Sequence, residues 1–567
     1  MKGGWLGGVA AGLLGAVLVI VIFGFGPLDP WHQGWLLAGP LGPDPVQLWL
    51  GWSYFRVSPW SLPPGANPAY GMELGTAIYF ADAIPLLALG FKALRGVVDV
   101  PQYVGPWLLA CGILHGVLGW RLVGLATRDP LARICGAGLL ALQPMLLNRM
   151  AGHTPLAGQW TILAALLLVC GAGQGTRFGP GMGRRTLAWG LLLATTGLIH
   201  SYLLAMVAPL WAADWLRRAL AGRWVMARRP IWLVAEALAV PLAVAAALWA
   251  GGFFLLPGGY DSGPGSDTGR YGSWNFDLLG FLDGGQWSAL LPDLPDPGHW
   301  EAGSSYLGLG GLLLLGLGAA VALGRPGIAL PRRLWPLAAV LLGLLAFAIT
   351  PHVTIGGWGV ELFGLPDKVM AVAGALRNSE RMVWPLAYAA LAGAIALLAN
   401  AWGGRRTGWL LLALLAVQAV DLRAGIARRQ ALVADAPVGI PQRLFDAFWP
   451  EAARHYARVR AVPAANMGEG WESIARFAAV AGLPTDSIYM ARVDAAAIAA
   501  LRQKTAASLA SGAYEPGTLY ILRDDESLGL ARASHDPARD SLLQADGYWV
   551  LAPGWQVRPR APPPTGR

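Results

Sequence analysis

Residues 5–25 read WLGGVAAGLLGAVLVIVIFGF, a run without a charged or strongly polar side chain. As a helix rising about 1.5 Å per residue it is long enough to cross the apolar core of a bilayer, about 30 Å thick. Lys2 precedes the run, and no small-x-small cleavage site comes before the next polar stretch. It therefore reads as a retained first membrane span and not as a signal peptide.

The composition agrees. Of 567 residues, 55% are hydrophobic and only 13% are charged. The mean hydropathy is +0.48. Soluble proteins carry roughly a quarter charged residues. A water-soluble enzyme, a disordered chain and a nucleic-acid binder are excluded on this ground. The balance of 42 Lys+Arg against 33 Asp+Glu reflects where the basic residues sit. Cys111, Cys135 and Cys170 lie in apolar runs without CxxC spacing, which supports neither a disulfide nor zinc.

Working outward from the first run, apolar segments recur at 5–25, 103–126, 131–148, 155–173, 186–200, 201–216, 231–256, 304–323, 334–350, 382–400 and 408–421. The expected fold is thus an all-α polytopic membrane protein of about eleven spans. Arg177, Arg184 and Arg185 precede the stretch 186–216, and Arg217, Arg218, Arg223, Arg228 and Arg229 follow it. Arginine on both flanks makes this a hairpin turning near His200-Ser201-Tyr202. With the N-terminus inside, Arg128, Arg133, Arg325, Arg332, Arg333, Arg405 and Arg406 also fall in short inner loops. The longer outer loops are acidic. An odd number of spans puts the C-terminal region outside. Residues 83–95, apolar but too short to span, are expected as an interfacial helix.

Composition shifts near Asp421. The expected domains are a membrane domain at 1–421, with a long first outer loop at 26–102, and a small extracytoplasmic α/β domain at 422–558. A Pro-rich tail at 559–567 is expected to be disordered. Strands are predicted at Val459–Val462, Thr518–Leu522 and Tyr548–Leu551, and helices at Trp471–Ala481 and Asp494–Ser508 with Asp494 as N-cap.

Candidate chemistry lies in the outer loops. The first reads Gly42-Pro43-Asp44-Pro45-Val46-Gln47-Leu48-Trp49, then Trp52-Ser53-Tyr54-Phe55-Arg56, and continues through Glu73 and Asp82. Asp44 stands among apolar neighbours, where a carboxylate calls for a cation, a metal or a substrate hydroxyl. It also suits an N-cap with Pro45 at the first helical position. Trp52, Arg56, Glu73 and Asp82 are candidate substrate contacts, and many of the tryptophans equally suit a membrane-interface belt. The second turn offers Arg149 and His153, the third His200 and Tyr202, the fourth Glu301 in a Gly- and Asp-rich loop, and the fifth Arg377 and Arg381. Arginines at helix ends suit phosphate or pyrophosphate, or lipid headgroups. Arg377 and Arg381 are four apart and are expected on one helix face.

This arrangement resembles the GT-C superfamily of polytopic glycosyltransferases: a first span, a long outer loop with an early Asp, an interfacial helix, then paired helices with outer turns. The strings Gly42–Trp49, Trp52–Pro63, Asn67–Pro85, Gly152–Leu163, Ile199–Tyr202 and Tyr306–Gly310 are more closely similar to an uncharacterised bacterial family within that superfamily. The resemblance covers most of residues 1–421. It implies a sugar donor on a polyprenyl phosphate, a glycan, lipid or protein acceptor, and chemistry at the outer face of a bacterial inner membrane. It implies Asp44 as general base or metal ligand, with Mg or Mn and a metal-independent reaction both open. Arg149 first, then Arg377 or Arg381, would stabilise the leaving phosphate, and His153 or His200 would assist. Many superfamily members carry a second acid in the second outer loop, where this chain has His153. A non-enzymatic flippase or export component for lipid-linked glycans is the alternative. An acyl- or phosphotransferase would need a His or Ser constellation that the sequence does not offer.

Overall fold

A computed structural model describes residues 3–171, 182–221, 229–256, 260–261, 271–299, 301, 303–325 and 330–557. Lys2, Arg177, Arg223, Arg228 and the tail 559–567 lie outside the described residues. The chain forms two compact units. The first comprises Met1–Gly42, Val100–Leu248 and Asp267–Gly439, and the second Pro43–Asp99, Trp249–Ser266 and Ile440–Arg567.

The first unit is helical. The run that opens the sequence is the helix Gly3–Phe23, and it packs on Val104–Val123. Glycine makes the approach possible. A Cβ on Gly15 would lie 1.9 Å from the carbonyl oxygen of Gly112, and one on Gly116 would lie 2.1 Å from that of Ala11. Small residues spaced by about a turn let two backbones touch where no hydrophobic effect drives helices together.

Among the described residues, six helices are long and apolar enough to cross a membrane, or up to eight if each of two bent pairs is one span. The pairs are Pro130–Ala141 with Pro144–Met150, bent by 55°, and Gly404–Asp421 with Arg423–Ala434, bent by 52°. Pro144 and the 142–143 break account for the first bend, since proline cannot continue the ladder. The expected hairpin is present as Met182–Ile199 and Ser201–Ala221, broken at His200. Its helices carry Arg184 and Arg185, and Asp214, Arg217 and Arg218, which dilute their apolar character. Gly308–Leu323 is apolar but shorter. The figure of eleven spans therefore exceeds what length and composition alone deliver.

Two acidic residues buried in the helices, Asp214 and Glu236, are both paired. Asp214 is fully buried and accepts from Arg185 Nε at 2.7 Å, Trp189 Nε1 at 3.0 Å and Arg217 Nη2 at 2.6 Å. Glu236 accepts from Thr186 at 2.9 Å, Trp211 at 3.0 Å and Arg218. Burying a carboxylate is tolerable only with such partners.

The second unit joins the first loop to the C-terminal region. Its sheet has the spatial order Arg458–Val462, Thr518–Leu522, Tyr548–Ala552, Ser541–Ala545. The first two strands are parallel and the rest antiparallel. Helices Trp471–Ala481, Ala495–Ser511 and Asp525–Ser534 accompany it. Asp494 caps the second, accepting from the backbone of Ala496 and Ala497. The loop contributes the helix Pro43–Val57 and a short helix Pro85–Ala93 within the segment expected at the interface. Backbone hydrogen bonds knit the two parts: Gly71 donates to Thr485 at 2.8 Å, Thr485 to Ala69 at 3.1 Å, and Ala491 to Phe80 at 2.7 Å. Tyr54 stacks on Tyr70 at 5.1 Å and donates to the Leu483 carbonyl at 2.9 Å. A loop assigned by sequence to the membrane domain thus shares a unit with residues four hundred positions later.

Candidate functional site

In the first unit, four turns converge on one buried ionic cluster. The helix Pro144–Met150 ends with Arg149 in its last turn, and Arg149 is ion-paired with Glu301. Both are buried, Glu301 completely. Arg381 pairs with the same carboxylate, and Asn378 Nδ2 donates to it at 2.7 Å. The backbone N–H of Asn378 donates to the Tyr202 hydroxyl at 3.0 Å. The Arg381 guanidinium lies 5.0 Å from the Tyr202 ring centre, within cation–π reach. His200 Nδ1 in turn accepts from the Tyr202 backbone at 3.1 Å. Glu380 is buried and accepts from Ser305 Oγ at 2.7 Å and Ser304 Oγ at 3.4 Å. Arg149, Glu301, Arg381, Tyr202 and His200 were each candidates from sequence, and the fold joins them.

Local chain geometry explains the convergence. His200 sits at the break between two helices, where its Nδ1 accepts from the backbone of Tyr202 in the first turn of the next helix. Residues Ser379–Val383 form a 3-10 turn before the helix Trp384–Trp402, and Asn378 ahead of it has ψ 75°. The expected shared helix face of Arg377 and Arg381 is therefore not realised, because the helical run begins after Arg377. Arg377 instead rests 5.3 Å from the Trp274 ring. His153 immediately precedes the turn Thr154–Gln159. Sequence reasoning did not single out Ser304, Ser305, Asn378 or Glu380. Their only signal was proximity to Glu301 and Arg381 in the chain.

The remaining candidates belong to the second unit. Asp44 lies in the first turn of Pro43–Val57 and is half-buried. The helix starts at Pro43, so Asp44 is a first-turn residue and not the N-cap before Pro45. Negative charge is favoured there by the helix macrodipole. Trp52 on the same helix is buried with its ring edge toward Phe91 at 6.5 Å. Arg56 pairs with Asp99 at 3.2 Å. Asp82 is buried, with φ 51°.

Glu73 pairs with Arg460 at 2.8 Å and Lys504 at 3.4 Å. Arg460 is buried among three carboxylates and also meets Asp486 and Glu515, each at 2.9 Å. Burial opposes charge on Glu73, but the Arg460 hydrogen bond, a backbone hydrogen bond and the charges of Arg460 and Lys504 together outweigh it and hold the carboxyl below its usual range. Glu515 is likewise lowered: burial is outweighed by Lys504 and Arg460. Glu73 is thus committed to bracing this unit.

A set of acidic side chains lies in the fourth loop of the first unit. The ligand atoms of Asp283, Asp293 and Asp296 all fall within 4.8 Å of one another. Burial, and then Asp293 and Asp296, raise the Asp283 carboxyl above its ordinary value despite hydrogen bonds from Leu294 and Gly285. Asp44 is not part of this group.

No curated protein matches the chain. Among solved structures, the cryo-EM structure of arabinofuranosyltransferase AftD from Mycobacteria is similar over 90% of this chain and 39% of that chain, at 17% identity and a TM-score of 0.43. The chain spans well under half of that protein's length. The profile of the domain of unknown function DUF6311 matches residues 12–423, and that of the DUF6311 C-terminal domain matches 448–553. With most of its length covered by these two matches, the chain belongs to the DUF6311 family.

Proposed function

We propose that this protein is a membrane glycosyltransferase that moves a sugar from a polyprenyl-phosphate donor to a hydroxyl of a glycan, lipid or protein acceptor. The reading includes eleven crossings of a bacterial inner membrane, a cytoplasmic N-terminus, and chemistry at the outer face. The observation that carries it is Asp44: a half-buried carboxylate in the first turn of an aromatic-rich helix, following the first apolar span. A general base must be reachable by the proton it takes, and a carboxylate only partly buried at this position is consistent with that role.

In the reaction, Asp44 takes the proton of the acceptor hydroxyl as its oxygen attacks the anomeric carbon. The bond from that carbon to the phosphate oxygen breaks with inversion, and the polyprenyl phosphate leaves with the electron pair. Guanidinium groups stabilise that charge. Arg149 and Arg381 already share Glu301, so a phosphate there would compete with a buried carboxylate. Arg377, partly exposed beside Trp274, is a third candidate for this role. Among the described residues, the acidic group of Asp283, Asp293 and Asp296 does not include Asp44, and no step is routed through a metal.

The test is transfer of radiolabelled sugar by purified protein from a panel of polyprenyl-phosphate sugars, wild type beside Asp44→Asn. Transfer by wild type, reduced by at least about 10²-fold in the variant, is the expected result. Equal turnover in the two proteins removes Asp44 from the mechanism. Absence of transfer from every donor by folded wild type moves the reading to a flippase.

A further inference from the structure

The acidic loop of the first unit does not enter the proposed reaction, and its geometry has a use of its own. Oxygens held by one Ca²⁺ at about 2.3–2.6 Å cannot lie more than roughly 5 Å apart. The ligand atoms of Asp283, Asp293 and Asp296, all within 4.8 Å of one another, satisfy that limit. Acidic residues cluster on many surfaces without binding anything, so the cavity beside them matters more. Asp277, Asp283, Asp296, His299 and Glu380 line a cavity of about 10 Å³, near the space of a single water or ion. Two of these side chains are more than nine-tenths buried and present an oxygen with no hydrogen-bond partner among the described residues: Asp277 Oδ2 and Glu380 Oε2.

A buried acceptor left unpaired is costly, and a carboxylate oxygen has no donor of its own to offer a neighbour. The other oxygen of Asp277 is fixed by the backbone of Leu279 at 2.8 Å and Gly356 at 3.1 Å. Asp283 Oδ1 is held by Gly285 at 3.1 Å and Leu294 at 2.9 Å. The carboxylates are thus oriented before any ion arrives. From these facts we infer that the loop binds one divalent cation, calcium in preference to magnesium, between Asp283, Asp293 and Asp296, with Asp277 on the buried wall. All-oxygen ligands favour a hard cation. Magnesium keeps several of its waters, for which so small a cavity has no room, whereas calcium accepts a crowded and irregular oxygen shell. The ion would tie 283 to 293–296 beside Glu380 of the buried cluster.

The full-length protein in detergent, stripped with EGTA, is titrated with calcium chloride by isothermal calorimetry. Melting curves are recorded in parallel with calcium and with magnesium. The expected result is one calcium per chain with a Kd of roughly 10⁻⁵–10⁻³ M, and a rise in Tm that magnesium reproduces weakly or not at all. Asp283→Asn and, separately, Asp293→Asn weaken binding at least about tenfold and remove the calcium-dependent rise. Asp293 is exposed, so its variant keeps the Tm of stripped wild type even if the buried Asp283 variant does not fold. The absence of saturable binding and of any Tm rise in wild type at millimolar calcium overturns the site, as does undiminished binding in the Asp293 variant. Neither readout involves sugar transfer, so the result stands apart from the fate of the glycosyltransferase reading.

Discussion

Arg149 and Arg460 show two ways in which this chain places a buried guanidinium. Arg149 shares Glu301 with Arg381, whereas Arg460 is surrounded by Glu73, Asp486 and Glu515. The second arrangement sets a pH dependence. Glu73 and Glu515 are both held below the ordinary glutamate value of 4.5. The stability they contribute is complete above that value and is lost as pH falls through their depressed folded values. Unfolding midpoints followed from roughly pH 6 to pH 3 should fall for wild type and fall less steeply for Glu73→Gln. A steeper fall in the variant would show that the pairing has been misread. Residue-scale legibility was uneven. Arg149, His200, Tyr202, Glu301 and Arg381 stood out because they are polar groups in the outer turns and at helix ends. Which partner each one takes depends on contacts across hundreds of residues, and no local pattern records that. The exclusive attachment of Glu73 to a bracing role was hidden for the same reason.

Elements were read better where periodicity is strong. The strand Thr518–Leu522 and the helix Trp471–Ala481 occur at their predicted bounds, and the break at His200 lies where flanking arginines required a turn. The strand Ser541–Ala545 and the hairpin His352–Glu361 were not predicted. Each is short, and neither alternates clearly enough to be distinguished from a loop. The contact of Gly3–Phe23 with Val104–Val123 yields a prediction at this scale. Gly15→Val places a Cβ 1.9 Å from a carbonyl oxygen, so the helices must separate. The expected loss is about 1–3 kcal/mol or more, seen as a lower Tm in detergent. Gly8→Ala meets nothing closer than 3.7 Å and should melt with wild type. Equal melting of both variants would mean that this seam does not hold the helices together.

At the scale of the whole molecule, composition was sufficient for a polytopic helical protein with a small α/β region, but not for how the chain is divided. Residues 43–99 fold with 440–557, because the bonds joining them are backbone pairs and buried aromatics such as Tyr54 and Tyr70. Such long-range pairing leaves no periodic trace. It also makes a fragment prediction. Residues 440–557 produced alone lose the partners of Thr485, Leu483 and Ala491, and should show weak amide protection. Adding 43–99 on the same chain should restore protection. Full protection of the short fragment would mean that the loop is only an accessory. The same interleaving bears on biosynthesis. Residue 99 leaves the ribosome about 340 residues before residue 440, a delay of roughly 20–70 s at about 5–20 residues per second. Throughout that interval the tryptophan-rich segment lacks the partners that residues 440–557 supply. Its survival then depends on a chaperone or on the lipid surface as a temporary shelter, and any stall in translation lengthens its exposure to proteases.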